Sequence, residues 1–428
     1  MMIRFTYLLL SLFAIACAPQ STPSGAPLTE LNSPDQLDTL INGYVDSGDV
    51  PFLYARVEDR GGHVVYEHGA VNDRLLPSTV VDGDTWIRIW SMSKAITISL
   101  ALDLIEQDKL SFDAPVANFI PEFASLRVAV TANGDSLLDS DDPANACSGQ
   151  TVPVAETMTI RHLINHTAGF YYAVTGFPCI DSALAERAVT RATDSDALIA
   201  DLAALPLIQQ PGTQYFYGMN TTVLGLVIER ATNRDLHDLV AEIFGEQFGI
   251  RDLSYHLPPD ETMLPRFSGA DGYLREAHPG ELDIFGGDVP RYAPSHSLAL
   301  GGEGMIGTAD AYADFLRLLL NDGALNGHQL LEKATIADMV APHTQLDSDY
   351  GHNGYNIWVT SGKLGDGSYG RAGLWVVGGY EGTYGWVDPE LGLVGVFVTQ
   401  VQHASARANG RHDVIREAFY DQVLPERR

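Results

Sequence analysis

The sequence predicts an α+β protein in which one antiparallel sheet, built from both ends of the chain, is flanked by helices and interrupted by a mostly helical insert. Strand-like apolar runs separated by turn residues occur near the start of the chain and again near its end. The long middle shows helical spacing broken by Pro and Gly loops. Strands and helices segregated in this way are typical of α+β architecture and not of alternating βαβ units.

Each element has its own pattern. Residues 35–47 place apolar side chains at helical spacing, which predicts a helix. The segment FLYARVEDRGGHVVYEHGA, residues 52–70, reads as two strands around an Arg-Gly-Gly turn, and therefore as a β-hairpin. A final helix is expected at about 409–422. Before it come three further strand-like segments, at 354–362, 369–379 and 383–400.

One domain accounts for most of the chain. The 428 residues are 45% hydrophobic, which is enough to bury a large core. We expect this domain at 33–425. Its sheet part should occupy about 33–85 and 345–425, and its helical part about 86–344.

The N-terminus has the pattern of a targeting segment. In MMIRFTYLLLSLFAIACAPQ, Arg4 precedes an apolar run at 5–16 that is too short to span a membrane of ~30 Å. The run ends in Ala-Ile-Ala-Cys, which resembles a bacterial lipobox. Residues 1–17 are therefore expected to be a lipoprotein signal with lipidation at Cys17, and 18–32 a flexible tether. An ordinary signal peptide is the alternative. Either way, we expect an exported bacterial protein, periplasmic or anchored to the outer membrane.

Two cysteines remain in the predicted domain. Cys147 and Cys179 could form one disulfide in an oxidising compartment, but two cysteines do not make a metal site by themselves. Cys147 lies in an acidic insert at 125–156. We hypothesise that this insert pairs with Cys179 and covers the cleft.

The charge balance narrows the choice of partners. The chain has 55 acidic against 26 basic residues, a formal charge of −29. Such a surface repels nucleic acid and anionic lipid headgroups. We therefore expect no nucleic-acid partner, and membrane contact only through the lipid anchor.

A serine and a lysine three residues apart open an almost unbroken apolar run in TWIRIWSMSKAITISLALDL, residues 85–104. If Ser91 begins a helix, Lys94 projects from the same face, within reach of the serine hydroxyl. A helix N-terminus favours an oxyanion, and a nearby ammonium lowers the cost of deprotonating serine. This pattern fits an activated nucleophile. An N-cap serine before a surface lysine would look the same, so the pattern needs partners elsewhere.

The segment around this pair resembles the active-site region of the serine β-lactamase superfamily, most closely the family VIII carboxylesterases alongside class C β-lactamases. The resemblance implies the β-lactamase/transpeptidase-like fold and covers nearly everything from about 35 to 420, in order. It is carried by WSMSKAITISLALDLIEQDKLSFDAPVANFIPEF (90–123), TIRHLINHTAGF (159–170), PGTQYFYGMNTTVLGLVIERAT (211–232), GGEGMIGTADAYADFLRLLLNDG (301–323) and GGYEGTYGWVDPELGLVGVFVTQ (378–400).

By this resemblance Ser91 is the acylated nucleophile and Lys94 its proton partner. Tyr217, in FYGMN, matches the tyrosine that acts as general base toward the serine and as acid toward the leaving group. A neighbouring ammonium favours the phenolate form of such a tyrosine. By analogy, the backbone N–H groups of Ser91 and Tyr380 would form the oxyanion hole.

Two positions depart from the pattern of β-lactamases. Where that pattern has Asn two residues after the tyrosine, this chain has Met219. Where it has a cationic or aromatic residue before a small residue and Gly, this chain has Val377-Gly378-Gly379. These four residues are expected to contact substrate, with the glycines letting it lie along the strand edge. Since the cation helps bind a substrate carboxylate, its loss favours an uncharged ester.

Other motifs carry less weight. Gly302, Gly304 and Gly307 match the spacing of a dinucleotide fingerprint, but that motif should open the first βα unit of a parallel sheet. His162 and His166 have a spacing that can hold zinc, but no third ligand is obvious. The Gly-x-Ser-x-Gly elbow of α/β-hydrolases does not occur. We therefore expect no cofactor and no metal.

The sequence thus predicts an exported serine hydrolase that forms an acyl-enzyme and acts on small uncharged carboxylic esters. Within the same mechanism, β-lactam hydrolysis and D-amino-acid peptidase or amidase activity remain alternatives. An alternative of another class is a catalytically silent envelope protein that binds a peptide or glycan. The changes at Met219 and Val377 would suit such a protein, but the intact Ser91, Lys94 and Tyr217 argue against it.

Overall fold

The computed structural model describes residues 31–284, 292–344, 346–408 and 410–424. The expected signal peptide with Cys17, and all of the tether except its last two residues, lie outside this part of the chain. The α-helices in chain order are α1 (Pro34–Asp46), α2 (Ser93–Glu106), α3 (Pro143–Ala146), α4 (Ile160–Ile164), α5 (Pro178–Arg187), α6 (Ser195–Ala203), α7 (Asn220–Thr232), α8 (Leu236–Val240), α9 (Ala309–Leu320), α10 (Lys333–Met339) and α11 (Arg411–Val423).

The strands are mostly short. In chain order they are β1 (Phe52–Asp59), β2 (Val64–Val71), β3 (Ile87–Arg88), β4 (Arg127–Val130), β5 (Gln150–Pro153), β6 (Leu253–Ser254), β7 (Phe267–Ser268), β8 (Arg275–Glu276), β9 (Ile306–Gly307), β10 (Ala324–Leu325), β11 (His328–Gln329), β12 (Asp347–Ser348), β13 (Gly351–Asn353), β14 (Trp358–Thr360), β15 (Trp375–Gly378), β16 (Tyr384–Asp388), β17 (Leu393–Val398) and β18 (Val401–Gln402).

An eight-stranded sheet joins the two ends of the chain, in the order β12-β13-β14-β15-β16-β17-β1-β2. The N-terminal hairpin β1–β2 enters it through β1, which pairs with β17 in antiparallel register from Tyr54 opposite Val398 to Asp59 opposite Leu393. All its other neighbouring strands are also antiparallel. The predicted α+β fold, with a sheet drawn from both termini, is confirmed.

Helices cover both faces of the sheet. Side chains alternate between faces along a strand, so Gly385 and Trp386 of β16 point in opposite directions. Trp386 reaches α11, where its indole N–H donates to the hydroxyl of Tyr420 at 3.2 Å. A Cβ at Gly385 would lie 3.1 Å from Leu316 and 3.3 Å from Tyr312, both on α9. Since both faces are covered, every residue of β17 is buried.

Helix α2 runs through the centre of the molecule and is buried on nearly every side. It packs on α7, and glycines allow the close approach of a third segment. The Cα of Gly301 lies 3.3 Å from where a Cβ of Gly225 would stand, and the hydroxyl of Thr97 donates to the carbonyl of Gly301 at 2.6 Å. This packing brings the Gly-rich segment that begins at Gly301 against the start of α2.

The middle of the chain contains more strand than the sequence pattern suggested. The acidic insert forms an antiparallel hairpin from β4 and β5, and β3, β9 and β6 make a small antiparallel sheet. Cys147 and Cys179 are joined in a disulfide bond, which ties the insert to the start of α5. That the insert covers the cleft stays a prediction. Among the described helices, none is long and apolar enough to cross a membrane.

Candidate active site

Ser91 lies in a turn of 3₁₀-helix, Trp90–Met92, that leads directly into α2. The α-helix therefore begins at Ser93, two residues later than expected from the sequence. Trp90 has a φ of +48°, a backbone conformation that is costly for a bulky residue. The guanidinium of Arg266 lies 5.1 Å from the Trp90 ring centroid and helps to hold it there. Strain of this kind persists only where surrounding contacts fix it, often beside a reactive group.

The structure brings Ser91, Lys94 and Tyr217 together. The Lys94 ammonium donates to the Ser91 hydroxyl oxygen at 3.1 Å, and the Tyr217 hydroxyl does so at 2.7 Å. Lys94 has no exposed surface, whereas Tyr217 is 39% exposed. The amine therefore supports the site from inside the protein, and the phenol faces the side from which a substrate can enter.

Lys94 is held by a buried cage of oxygens. Its ammonium donates to the carbonyl of Gly302 at 2.8 Å, to the hydroxyl of Tyr172 at 3.0 Å and to Glu303 Oε1 at 3.2 Å. Burial lowers the pKa of Lys94, but its interactions with Tyr217 and Glu303 outweigh burial, so the pKa is raised overall. Lys94 therefore stays protonated and has no lone pair with which to accept a proton from Ser91.

Glu303 is the counter-charge of this cage, and sequence reasoning missed it. Its two carboxylate oxygens accept separate hydrogen bonds from the hydroxyls of Tyr172 and Thr222, and the residue is 1% exposed. Burial, and next the charge of Glu303, raise the pKa of Tyr172 well above its usual value. Tyr172 thus stays a phenol. The signal that could have revealed Glu303 is an acidic residue enclosed by glycines in an otherwise apolar segment.

The glycines around Glu303 serve close packing. A Cβ at Gly302 would lie 2.9 Å from the hydroxyl of Thr222 on α7, too close for any side chain. Gly307 lies in β9, which pairs with β3 and β6 in antiparallel fashion and opens no βα unit of a parallel sheet. The Gly302-x-Gly304-x-x-Gly307 spacing therefore does not have the structural context of a dinucleotide motif.

A tight turn between β15 and β16 places Tyr380 against Trp90, the residue before Ser91. A Cβ at Gly379 would lie 2.6 Å from the carbonyl oxygen of Ile89, so only glycine allows this approach. The ring of Tyr380 makes an edge contact with Trp90 at a centroid distance of 5.5 Å. Apart from the bonds internal to helices and strands, the described part of the chain has no backbone hydrogen bond from the N–H of Ser91 or of Tyr380, as a role in an oxyanion hole requires.

A buried ion pair supports this turn. Glu381 follows Tyr380, has no exposed surface, and pairs with the guanidinium of Arg266. A second nitrogen of the same guanidinium donates to the carbonyl of Leu282 at 3.1 Å. The guanidinium of Arg266 also lies over the ring of Trp90. Arg266 thus links the segments that contain Trp90, Leu282 and Glu381.

The residues expected to bind substrate differ in their exposure. Gly378 is exposed and Gly379 is half-buried, as a strand edge open to substrate requires. Val377 is 7% exposed and offers no cation. Met219 has no exposed surface and precedes the first turn of α7, so its assignment as a substrate-binding residue is wrong. The chain turns inward directly after Tyr217 to start the buried helix α7.

The two histidines with zinc-like spacing have separate roles. His162 Nδ1 accepts a hydrogen bond from the backbone N–H of Thr159 at 3.3 Å and caps α4. His166 is fully buried, and its ring stacks on that of Tyr217. Among the residues that the structure describes, no group of three or more potential ligands could hold a metal ion.

The family of the chain follows from a comparison with protein-family models. The Beta-lactamase model matches residues 37–419, which includes every side chain of the site. The chain belongs to the β-lactamase family. This confirms the resemblance predicted from the sequence.

The chain is similar to proteins from both bacteria and fungi. Protein Rv1367c of Mycobacterium tuberculosis is 28% identical over 284 residues, 65% of this chain and 65% of its own length. Esterase EstB of Burkholderia gladioli is 28% identical over 335 residues, 75% of this chain and 78% of its own. The solved structure of simvastatin synthase (LovD) from Aspergillus terreus shares the fold, with a TM-score of 0.72 at 21% identity over 91% of this chain and 98% of its own.

We expect Glu303→Gln to destabilise the protein by about 3–5 kcal/mol, because it leaves the buried Lys94 ammonium without its counter-charge. Thr222→Val is the matched control, since it removes one hydrogen bond from the same carboxylate and should cost only about 1.5–3 kcal/mol. Urea unfolding of both variants measures the difference. Equal losses would mean that the charge of Glu303 contributes nothing beyond its hydrogen bonds.

Proposed function

We propose that the protein is a carboxylesterase that forms an acyl-enzyme on Ser91 and acts on small uncharged esters. The observation that carries this proposal is the assembled contact between the Ser91 hydroxyl, the exposed Tyr217 hydroxyl and the buried Lys94 ammonium. A silent binding protein would have no need to keep this arrangement or its buried counter-charge.

Tyr217 is the proposed general base. Because Lys94 stays protonated, the Ser91 proton passes to the Tyr217 phenolate as the serine oxygen attacks the ester carbonyl carbon. The ammonium, 4.9 Å from the phenol ring centroid, stabilises that phenolate before the transfer. The N–H groups of Ser91 and Tyr380 would donate hydrogen bonds to the oxyanion, a contribution of about 3–4 kcal/mol per donor. Tyr217 then returns the proton to the leaving alcohol.

Deacylation repeats these steps with water. Tyr217 takes a proton from the water that attacks the acyl carbon, and returns it to the Ser91 oxygen as the acid product leaves. If an alcohol replaces the water, the same steps give acyl transfer. The name of simvastatin synthase makes acyl transfer a second candidate reaction, one that an acceptor alcohol can reveal.

The preference for uncharged substrates rests on how the site's cations are used. Lys94 is paired with Glu303, and Arg266 with Glu381, both of them buried carboxylates. The position where β-lactamases carry a cation is Val377. A substrate carboxylate would therefore be desolvated without a partner, which is costly. The name of Esterase EstB also supports ester hydrolysis over β-lactam hydrolysis.

We expect p-nitrophenyl butyrate to be hydrolysed with a kcat/KM roughly ten- to hundredfold above that for the p-nitrophenyl monoester of succinate, which carries a carboxylate in place of the terminal methyl group. Ser91→Ala should abolish turnover, and Tyr217→Phe should lower kcat about 10²–10⁴-fold, the usual contribution of a general base.

Added butanol tests acyl transfer, and nitrocefin tests β-lactam hydrolysis. Faster turnover of nitrocefin or of the succinate ester would contradict the proposed specificity.

We also propose that the protein is exported and held at the membrane by a lipid on Cys17. The support is the charged, apolar and lipobox-like order of the N-terminal residues. Cell fractionation should find the full chain with the membranes and a Cys17→Ser variant in the soluble fraction. A Cys17→Ser variant that stays with the membranes would contradict lipid anchoring.

A further inference from the structure

His166 contacts three consecutive residues around Tyr217. Its carbonyl oxygen accepts from the N–H of Phe216 at 2.8 Å, and its Nδ1 accepts from the N–H of Gly218 at 3.4 Å. Between them its ring stacks on that of Tyr217, at a centroid distance of 5.0 Å and an interplanar angle of 13°. One residue thus fixes the backbone on both sides of the phenol and the plane of the phenol itself.

The backbone at His166 is held in an unfavourable conformation. It follows the C-cap of α4 and has a φ of +53°, in the left-handed region. Its N–H bonds to the carbonyl of Leu163 and that of Thr167 to the carbonyl of His162, the pattern of a Schellman motif. Glycine or asparagine usually occupies this position, because other residues pay a steric cost there. A histidine here is explained by what its side chain does.

The hydrogen bonds fix one neutral form of the imidazole. A backbone N–H can only donate, so Nδ1 of His166 must be unprotonated to accept from Gly218. The proton is then on Nε2, which lies 3.3 Å from the hydroxyl oxygen of Thr221 and donates to it. Burial, and next the charge of Lys94, hold the pKa of His166 well below its ordinary value. Because both ring nitrogens have partners, neither is free to bind a metal.

We propose that His166 is a positioning residue that holds the Tyr217 hydroxyl on the Ser91 oxygen. It does so by stacking its ring on that of Tyr217 and by accepting hydrogen bonds from the N–H groups of residues 216 and 218. It touches neither substrate nor Ser91, so it acts only through Tyr217. The role rests on the proposed acyl-enzyme chemistry, in which Tyr217 moves the proton.

A double-mutant cycle tests this role. His166→Asn suits the left-handed backbone but removes the stacked ring. We expect it to lower kcat for p-nitrophenyl butyrate about 10–100-fold with KM nearly unchanged, because small misplacements of a reacting group cost rate more than binding. In a Tyr217→Phe background the same substitution should change kcat by less than about twofold. An equal loss in both backgrounds would mean that His166 is merely structural, and would overturn the proposal.

Two further variants separate a positioning role of His166 from a purely structural one. His162→Ala, on the helix that precedes His166, loses the acceptor for the N–H of Thr159, so it should lower the melting temperature without any coupling to Tyr217. His166→Phe keeps a flat ring but not the acceptor for Gly218, so it should lose less kcat than His166→Asn. If His166→Asn does not fold, the cycle is made with His166→Phe. Full additivity there would equally overturn the proposal.

Nitrogen-15 NMR of the imidazole gives a readout that does not depend on activity. The charged or titratable groups against the ring are Tyr215, Tyr217 and Lys94. We expect His166 to stay neutral, with its proton on Nε2, at pH values well below the ordinary pKa of histidine, because the ring is buried and lies near the charge of Lys94. Protonation of His166 near the ordinary pKa of histidine would contradict the hydrogen bonding inferred for its ring. If the NMR result is as expected but the wild type forms no acyl-enzyme, the proposed function fails instead.

Discussion

The ion pair between Lys94 and Glu303 is the interaction on which the rest of the site depends. Two buried charges are costly to desolvate, and they are tolerated here because each is saturated with hydrogen bonds. The pair keeps Lys94 as an ammonium at the start of the central helix. In the proposed mechanism, this fixed positive charge next to Ser91 leaves Tyr217 as the general base.

Close packing at glycines brings the segments around this ion pair together. Thr222 and Gly302 belong to segments that pack against α2 only because glycines there leave room. The sheet drawn from both chain ends contributes the turn with Gly379, whose missing side chain lets the turn approach Ile89 and lets Tyr380 contact Trp90, the neighbour of Ser91. Ser91, the proposed nucleophile, thus lies between the buried ion pair and the backbone N–H groups that we propose for the oxyanion hole.

The hydrophobic pattern of the sequence correctly predicted the elements near both ends of the chain. The final helix, expected at about 409–422, is Arg411–Val423, and the strands of both termini share one sheet. Glu303 and Tyr172 escaped prediction because they lie 209 and 78 residues from Lys94, and only tertiary packing brings them together. Met219 was misassigned because alignment with a motif gives a position in sequence and not the direction of a side chain.

The central claim is that Tyr217, supported by a permanently charged Lys94, activates Ser91. It is tested most directly by mass spectrometry of the folded protein after brief exposure to a fluorophosphonate. The account predicts one adduct, on the peptide that carries Ser91, and much slower labelling of Tyr217→Phe. Folded wild-type protein without an adduct at Ser91 would contradict the account, as would equally fast labelling without the Tyr217 hydroxyl.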